Sequence, residues 1–296
     1  MPAVNPFDAP GEWYKGNLHA HTTESDGELS PAQACARYRE AGYSFLAITD
    51  HGKVSDTRHL READGFVTIL GAEYGGPGAP SDHTYHIVVL DVPADWSRPS
   101  DDAQEIINAA NAAGALAFIA HPYWSGLHTE DVLALRNHMG VEVYNYTCYR
   151  GIGKGNSAIY WDVMLARGVP AVGIAVDDSH GHYDDYLGGW VSVKAEELTP
   201  ESVLTAIRSR AFYASSGPDI YDFRIVGGKA VARCSPAQAV NFICANSRGK
   251  STWRDDETLF CEAEVELTGR ERYVRLEVVD ARGRIAWSNP LPVPFQ

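Results

Sequence analysis

The sequence predicts an α/β fold on parallel strands, a barrel or an open doubly wound sheet, followed by a small all-β segment. Three observations carry this. From about Gly16 to Tyr213 short apolar runs alternate with helical patterns, and such alternation implies parallel strands. Several of those runs end in His, Asp or Glu. After Tyr213 strand-like runs follow one another with no helical pattern between them. The expected division is 1–215 for the α/β part and 216–296 for the β part.

The runs FLAIT (45–49), VTILGA (67–72), IVVL (87–90), LAFIA (116–120), VEVY (141–144) and AVGIAV (171–176) are too short for helices and rich in β-branched residues. They read as buried strands. Between them, Ser30-Pro31 opens a helix running towards Gly42, with serine as N-cap and proline in the first turn. DDAQEIINAANAA (101–113) ends at Gly114, a C-cap residue. Residues 129–135 form a shorter helix. Residues 157–167 stop at Gly168-Val169-Pro170, and Thr199-Pro200 opens a last helix to about Arg210. In the β part, residues 220–226, 229–234, 240–245, 259–267 and 273–279 read as strands, with turns such as Gly227-Gly228 between them.

Composition narrows the function. Of 296 residues 45% are hydrophobic, enough for a substantial core, and the net charge of -14 argues against stable nucleic-acid binding or an anionic membrane surface. Cys35, Cys148, Cys234, Cys244 and Cys261 are odd in number and contain no CxxC, which suits a reducing compartment. The start MPAVNPFDAP has no basic flank and no apolar core, and no run is long enough to span a bilayer. A cytoplasmic protein is expected.

The chemistry lies in the polar clusters. In Asn17-Leu18-His19-Ala20-His21, histidines at i and i+2 of an extended chain share a face, and imidazole is the commonest ligand for zinc, iron and manganese. Asp26 follows in a polar loop that can fold back over them. Asp50-His51 closes FLAIT and Glu73 closes VTILGA, where a buried carboxylate needs a partner such as a metal. His83 and His86 are alternatives, with His86 preferred because it abuts IVVL. His121 closes LAFIA, and Asp177-Asp178-Ser179-His180 closes AVGIAV. Alternation puts Asp178 and His180 on one face, so Asp178 is expected as a ligand and Asp177 behind it, orienting a histidine. Polar groups at the downstream ends of separate strands are where α/β barrels build their sites. His59, His128 and His138 read as solvated.

Taken in order, NLHAHTTESDG, ITDHG, GAEY, the His86 segment, AHP and DDSH resemble the polymerase-and-histidinol-phosphatase (PHP) family of metallohydrolases over residues 17–180. The resemblance implies a distorted (β/α)7 barrel with two or three divalent ions, zinc, manganese or iron. Their ligands would be His19, His21, Asp26, His51, Glu73, His86, His121, Asp178 and His180, with Glu73 bridging two ions. AHPYWSGL, VEVYN, DDSHGHY, GGW and the late AWSNPLPV are closer to a subgroup that includes carbaryl (aryl N-methylcarbamate) hydrolases.

The expected activity is metal-dependent hydrolysis of a small-molecule ester by a metal-bound hydroxide, first of a phosphomonoester or phosphodiester. An aryl carbamate or aryl ester is the alternative, and a metal-stabilised binding module without catalysis is the third reading. His182 is placed as a proton donor. Arg150 and Lys154, in a glycine-rich loop, could hold an anion. Tyr123 and Trp124 could line an aromatic pocket. The β segment covers the barrel mouth or joins copies of the chain into a homo-oligomer; sequence does not separate the two.

Overall fold

The computed structural model describes residues 4–61, 65–254 and 258–294; the outer ends of the two expected segments, 1–3 and 295–296, lie outside them. The α/β part contains β1 (Glu12–Asn17), α1 (Pro31–Glu40), β2 (Phe45–Ile48), β3 (Val67–Gly76), β4 (Tyr85–Leu90), α2 (Ala103–Ala112), β5 (Leu116–Ile119) and α3 (Thr129–Ala134). It continues with β6 (Gly140–Asn145), α4 (Tyr146–Ile152), α5 (Ala158–Ala166), β7 (Val172–Val176), β8 (Trp190–Ala195), α6 (Pro200–Arg208) and β9 (Phe212–Ser215). The β part holds β10 (Ile220–Val226), β11 (Lys229–Ala237), β12 (Ala239–Cys244), β13 (Gly249–Trp253), β14 (Phe260–Glu266), β15 (Tyr273–Val279), β16 (Ile285–Ser288) and β17 (Leu291–Pro292).

Strands β1 to β7 follow one another around a barrel. β1, β2 and β3 are parallel, as are β5, β6 and β7. The ring closes just beyond β1 and β7 through a parallel bridge between Ala20 and Ser179, with Asp178 N–H donating to His19 O and His21 N–H to Ser179 O, both at 2.9 Å. The expected barrel is thus present, with one departure from a uniform barrel: β4 is antiparallel to both neighbours. A tight connection from β3 turns the chain straight back, so no crossover helix separates the two strands.

Side-chain alternation sorts the barrel into two packed layers. Phe45, Ala47, Val67, Ile69, Val88, Leu90, Phe118 and Ile174 point inward and fill the barrel below the site. Ala72, Tyr74, Ile87, Val89, Val141 and Val143 point outward under α2, α3 and α5. The caps behave as the sequence suggests. Ser30 and Gln33 form a reciprocal capping box on α1, and Asp102 and Thr199 cap α2 and α6 through side-chain oxygens.

The β part continues the same hydrogen-bonded surface. β9 pairs with β16, which leads through β15 and β12 to β13 within one 14-stranded sheet, while β10, β11 and β14 form a separate three-stranded sheet. The sequence reading left out β1, β8, β9, β13, β16 and β17. The glycine-rich loop expected around Arg150 is the helix α4, closed by Gly153 in the left-handed region at φ 74°. His138 is buried, not solvated, whereas His59 and His128 are exposed. Among the described residues no helix is long and apolar enough to cross a membrane.

Candidate metal centre

Nine side chains converge at the end of the barrel where β2, β3, β5 and β7 finish. They fall into three overlapping groups, each with ligand atoms within 4.8 Å of one another: His19, His21, Glu73 and Asp178; Glu73, His86 and His121; and His21, Asp26, His51 and His180. Glu73 belongs to two groups and so does His21, so the three form one continuous cluster.

Local structure explains each position. Glu73 continues the inward register of Val67 and Ile69 on β3. His86 precedes its apolar run, yet it reaches the site because β4 runs in reverse: its first residues lie where the parallel strands end. It shares the inward register of Val88 and Leu90, and its Nδ1 is 2.7 Å from Glu73 Oε1. His83 instead lies beside His128, 5.8 Å between ring centroids. His121 and Asp178 sit just past their strands with φ of 25° and 56°. Side chains rarely tolerate that region, and strain of this kind concentrates at functional sites.

The inner group is dry. Glu73 and Asp178 are 1% and 4% exposed and His19 and His21 fully buried. His19 Nε2 lies 3.0 Å from His21 Nε2, 3.2 Å from Glu73 Oε2 and 3.2 Å from Asp178 Oδ1. His21 Nε2 is 3.2 Å from Glu73 Oε2 and 3.0 Å from Asp178 Oδ1. The outer group is looser: Asp26 is half exposed, 3.6 Å from both His51 Nε2 and His180 Nε2.

Electrostatics follow from this crowding. Burial opposes charge on His19, but Asp178, Glu73 and Glu142 override it and hold the pKa well above its ordinary value. Burial also opposes charge on His21, and the same two carboxylates, Asp178 and Glu73, raise it to about 9. Burial works against ionised Glu73 and Asp178 too, yet the histidines keep both carboxyls below their ordinary range. His51 and His180, where burial outweighs the nearby carboxylates, are lowered. The centre is a set of ionised carboxylates facing imidazoles whose positive charge could be replaced by that of an ion.

The donor set fits divalent metals. Ligand atoms about 2.0–2.1 Å from a tetrahedral ion lie roughly 3.3 Å from one another, close to the spacings of the inner group. Asp178 Oδ1 is buried and receives no hydrogen bond although two imidazole nitrogens stand beside it. Buried acceptors are rarely left so, and a cation among these atoms would satisfy it.

A supporting layer holds the donors, and most of it was missed by sequence reasoning. Glu142, fully buried on β6, faces His19 Nδ1 at 2.6 Å through Oε1. Its Oε2 accepts from His121 N–H at 2.8 Å and Asn145 Nδ2 at 2.9 Å. Asn145 also donates to Asp178 Oδ2 at 3.0 Å. Glu142 and Asn145 are three residues apart, and the register irregularity between Glu142 and Tyr144 lets both face inward. A lone glutamate in an apolar strand, VEVY, was the signal available. Asp50 accepts from Thr22 N–H at 2.7 Å, Ser25 Oγ at 2.9 Å and Ser55 Oγ at 2.5 Å, fixing the loop that carries Asp26. Asp185 takes His180 N–H at 2.9 Å.

Asp177 corrects the sequence reading. It lies on the opposite face from Asp178 and touches no histidine. It accepts from Tyr38 Oη at 2.7 Å, Asn17 Nδ2 at 2.9 Å and the N–H groups of Leu187, Gly188 and Gly189 at 2.7–2.8 Å. Alternation along β7 turns it away from the imidazoles, and Glu142 takes the orienting role from across the barrel.

The remaining expected residues stand outside the three donor groups. His182 is exposed, its ring 5.7 Å from that of His180 and its Nδ1 3.6 Å from Glu28. Arg150 is exposed on α4, and Lys154 Nζ lies 5.4 Å from the Tyr123 ring centroid. Trp124 is nearer, its ring 5.0 Å from that of His121 and 6.0 Å from that of His86.

No family model and no curated protein matches the chain. Solved structures do. One from Bacteroides vulgatus, described as a two-domain protein containing a predicted PHP-like metal-dependent phosphoesterase, aligns with TM-score 0.52 and 14% identity over 98% of this chain and 99% of that one. A protein from Bifidobacterium adolescentis, provisionally described as a metal-dependent phosphoesterase, aligns with TM-score 0.48 and 16% identity over 66% of this chain and 96% of its own. An amidohydrolase from Chromobacterium violaceum aligns with TM-score 0.43 and 17% identity over 56% and 87%. The first likeness extends through both the barrel and the β part, so the chain shares the fold of a two-domain PHP-like protein.

Proposed function

We propose that the protein is a metal-dependent hydrolase with a site for two or three divalent ions, and that its substrate is a phosphate ester. The observation that supports this most is the sharing of Glu73 and His21 between adjacent donor groups. A structural metal site is usually a closed set of four ligands. Groups that share ligands hold ions side by side, the arrangement suited to clamping a phosphoryl group. The Bacteroides vulgatus protein's description as PHP-like phosphoesterase agrees with it.

His19, His21, Glu73 and Asp178 would hold the inner ion, Glu73, His86 and His121 the second, and His21, Asp26, His51 and His180 the third. Divalent ions supply Lewis acidity, making water nucleophilic near neutral pH and neutralising charge on the attacked group. With an ion bound, Glu142 would keep the remaining His19 proton on Nδ1, 2.6 Å away, and leave the Nε2 lone pair to the ion. Half-exposed Asp26, with His51 and His180, forms the side open to substrate. His182, whose ring is 5.7 Å from that of His180, would hand a proton to a leaving group, and Arg150 and Lys154 would meet a substrate's anionic end from α4 and its C-terminal loop. Phosphomonoesters and phosphodiesters both suit this layout.

A second reading, hydrolysis of an aryl carbamate or aryl ester, is favoured by Trp124, whose ring flanks His121 and His86. Release of phenol from bis(p-nitrophenyl) phosphate and from an aryl N-methylcarbamate, by manganese- or zinc-loaded protein with a chelator control, separates the two. Chelator-sensitive turnover of the phosphodiester alone supports the first reading. Turnover of the carbamate alone replaces it with the second. Metal uptake with no turnover of either ester leaves a non-catalytic metal-binding module.

A further inference from the structure

A second cavity lies outside the barrel wall, where β6, α4, the β7–β8 connection and the β15–β16 turn meet. Its volume of about 610 Å³ is within the range of small-molecule sites, and none of the nine cluster residues lines it. The strand irregularity that turns Asn145 inward leaves Tyr144 facing outward into this space. Tyr144 stacks on Trp287 with ring centroids 5.8 Å apart and planes at 28°, and Tyr149 stands 5.8 Å from Tyr144. Trp190 adds a further aromatic face.

Three cations line the cavity, two of them without a carboxylate partner. Lys15 Nζ sits 3.7 Å from the Trp190 ring centroid and 4.2 Å from that of Tyr43, and Arg282 lies at the exposed β15–β16 turn. Among the described residues no carboxylate oxygen lies within 4.0 Å of either charged group. Arg284, also in the lining, is already paired with Asp280 at 2.7 Å. Aromatic faces suit a planar ring and the cations an anion.

We propose that this cavity is a binding site for an aromatic anion, a planar ring bearing a carboxylate, sulfonate or phosphate group, separate from the histidine–carboxylate cluster. The ring lies among Tyr144, Tyr149 and Trp190, and the acidic group takes Lys15 and Arg282. Desolvation of Lys15, which lowers its pKa against the distant charges of Asp177 and Asp219, would be offset by the ligand's charge.

Calorimetric titration of the whole manganese-loaded protein with 2-naphthalenesulfonate tests this. Saturable 1:1 binding is expected, weakened at least tenfold by Lys15→Gln or Arg282→Gln, and unchanged by His121→Ala. Neutral 2-naphthylmethanol and inorganic sulfate should each bind at least tenfold more weakly than the naphthalenesulfonate. Arg282 is on an exposed turn, so its substitution leaves the fold intact even where Lys15→Gln does not. Absence of saturable binding, equal affinity for the neutral ring, indifference to Arg282→Gln, or loss in His121→Ala would each overturn the proposal.

Discussion

Replacing Glu142 by Gln removes one acceptor from the centre without changing its shape. Oε2 serves two donors, His121 N–H and Asn145 Nδ2, so the new amide is most stable with its oxygen there. Its NH2 then faces His19 Nδ1, the partner at 2.6 Å, and two donors cannot share that contact. The imidazole must shift its proton to Nε2, the atom 3.2 Å from Glu73 Oε2 and from Asp178 Oδ1. A protonated Nε2 cannot ligate, so inner-group affinity depends on the less favourable tautomer. Loss of such an outer hydrogen bond costs about 10–100-fold in metal affinity, or roughly 1.4–2.7 kcal/mol. Zinc or manganese titration against a competing chelator reads this directly, with a thermal melt to confirm folding. Turnover should fall with occupancy and recover in part at higher metal concentration. Affinity within twofold of the parent would refute the tautomer reasoning.

Three further outcomes follow from the same geometry. Asp178→Asn should lose metal, whereas Asp177→Asn should retain more of it and destabilise the fold by about 1–3 kcal/mol through the unpaired N–H groups of residues 187–189; metal analysis beside urea unfolding checks the contrast, and the reverse order would exchange the two roles. Arg275 is fully buried, gripping Asp162 on α5 at 2.8 Å through two nitrogens and Glu277 at 2.7 Å; Arg275→Ala should cost about 3–5 kcal/mol in urea unfolding, and a loss below 1 kcal/mol would show that the ion pair does not tie the barrel to the β strands. Burial lowers the pKa of His138 to about 4, with the Gly140 carbonyl opposing and Arg136 assisting. Its folded pKa is below its unfolded one, so the unfolded state binds the extra proton between them, and up to about 3 kcal/mol of stability present above pH ~6.5 is lost as pH falls towards ~4. His138→Gln should flatten that part of the stability–pH profile relative to the parent, and parallel profiles would contradict it.

Where the sequence was legible, one physical rule did the work. Period-two alternation placed Asp178 inward, and buried apolar runs marked six of the barrel strands, four of which lead into cluster residues. Legibility failed where a residue's role depended on a partner far along the chain. His86 looked misplaced because nothing local says that β4 runs backwards. Glu142 looked like one acid in an apolar strand, since its partners His19 and His121 are 123 and 21 residues away. Asp177 was assigned a histidine because the loop that claims it lies ten residues downstream. Half-exposed strands such as β13 and β14 bury little and so leave a weak pattern.

The pairing of β9 with β16 makes the molecule's two ends mechanically interdependent. A chain cut after residue 215 would keep every cluster ligand, yet β9 would present a bare row of N–H and C=O groups over Tyr213–Ser215, the residues β16 now covers. Such an edge recruits strands from other chains, so the shortened protein should be sticky before it is inactive. In the intact chain the main sheet closes on itself at β1 and β7 and otherwise runs out at β13, a five-residue strand carrying Lys250, a short and charged ending that discourages such growth. The later strands thus act as a selvedge, finishing a woven border that the barrel alone would leave to unravel into its neighbours.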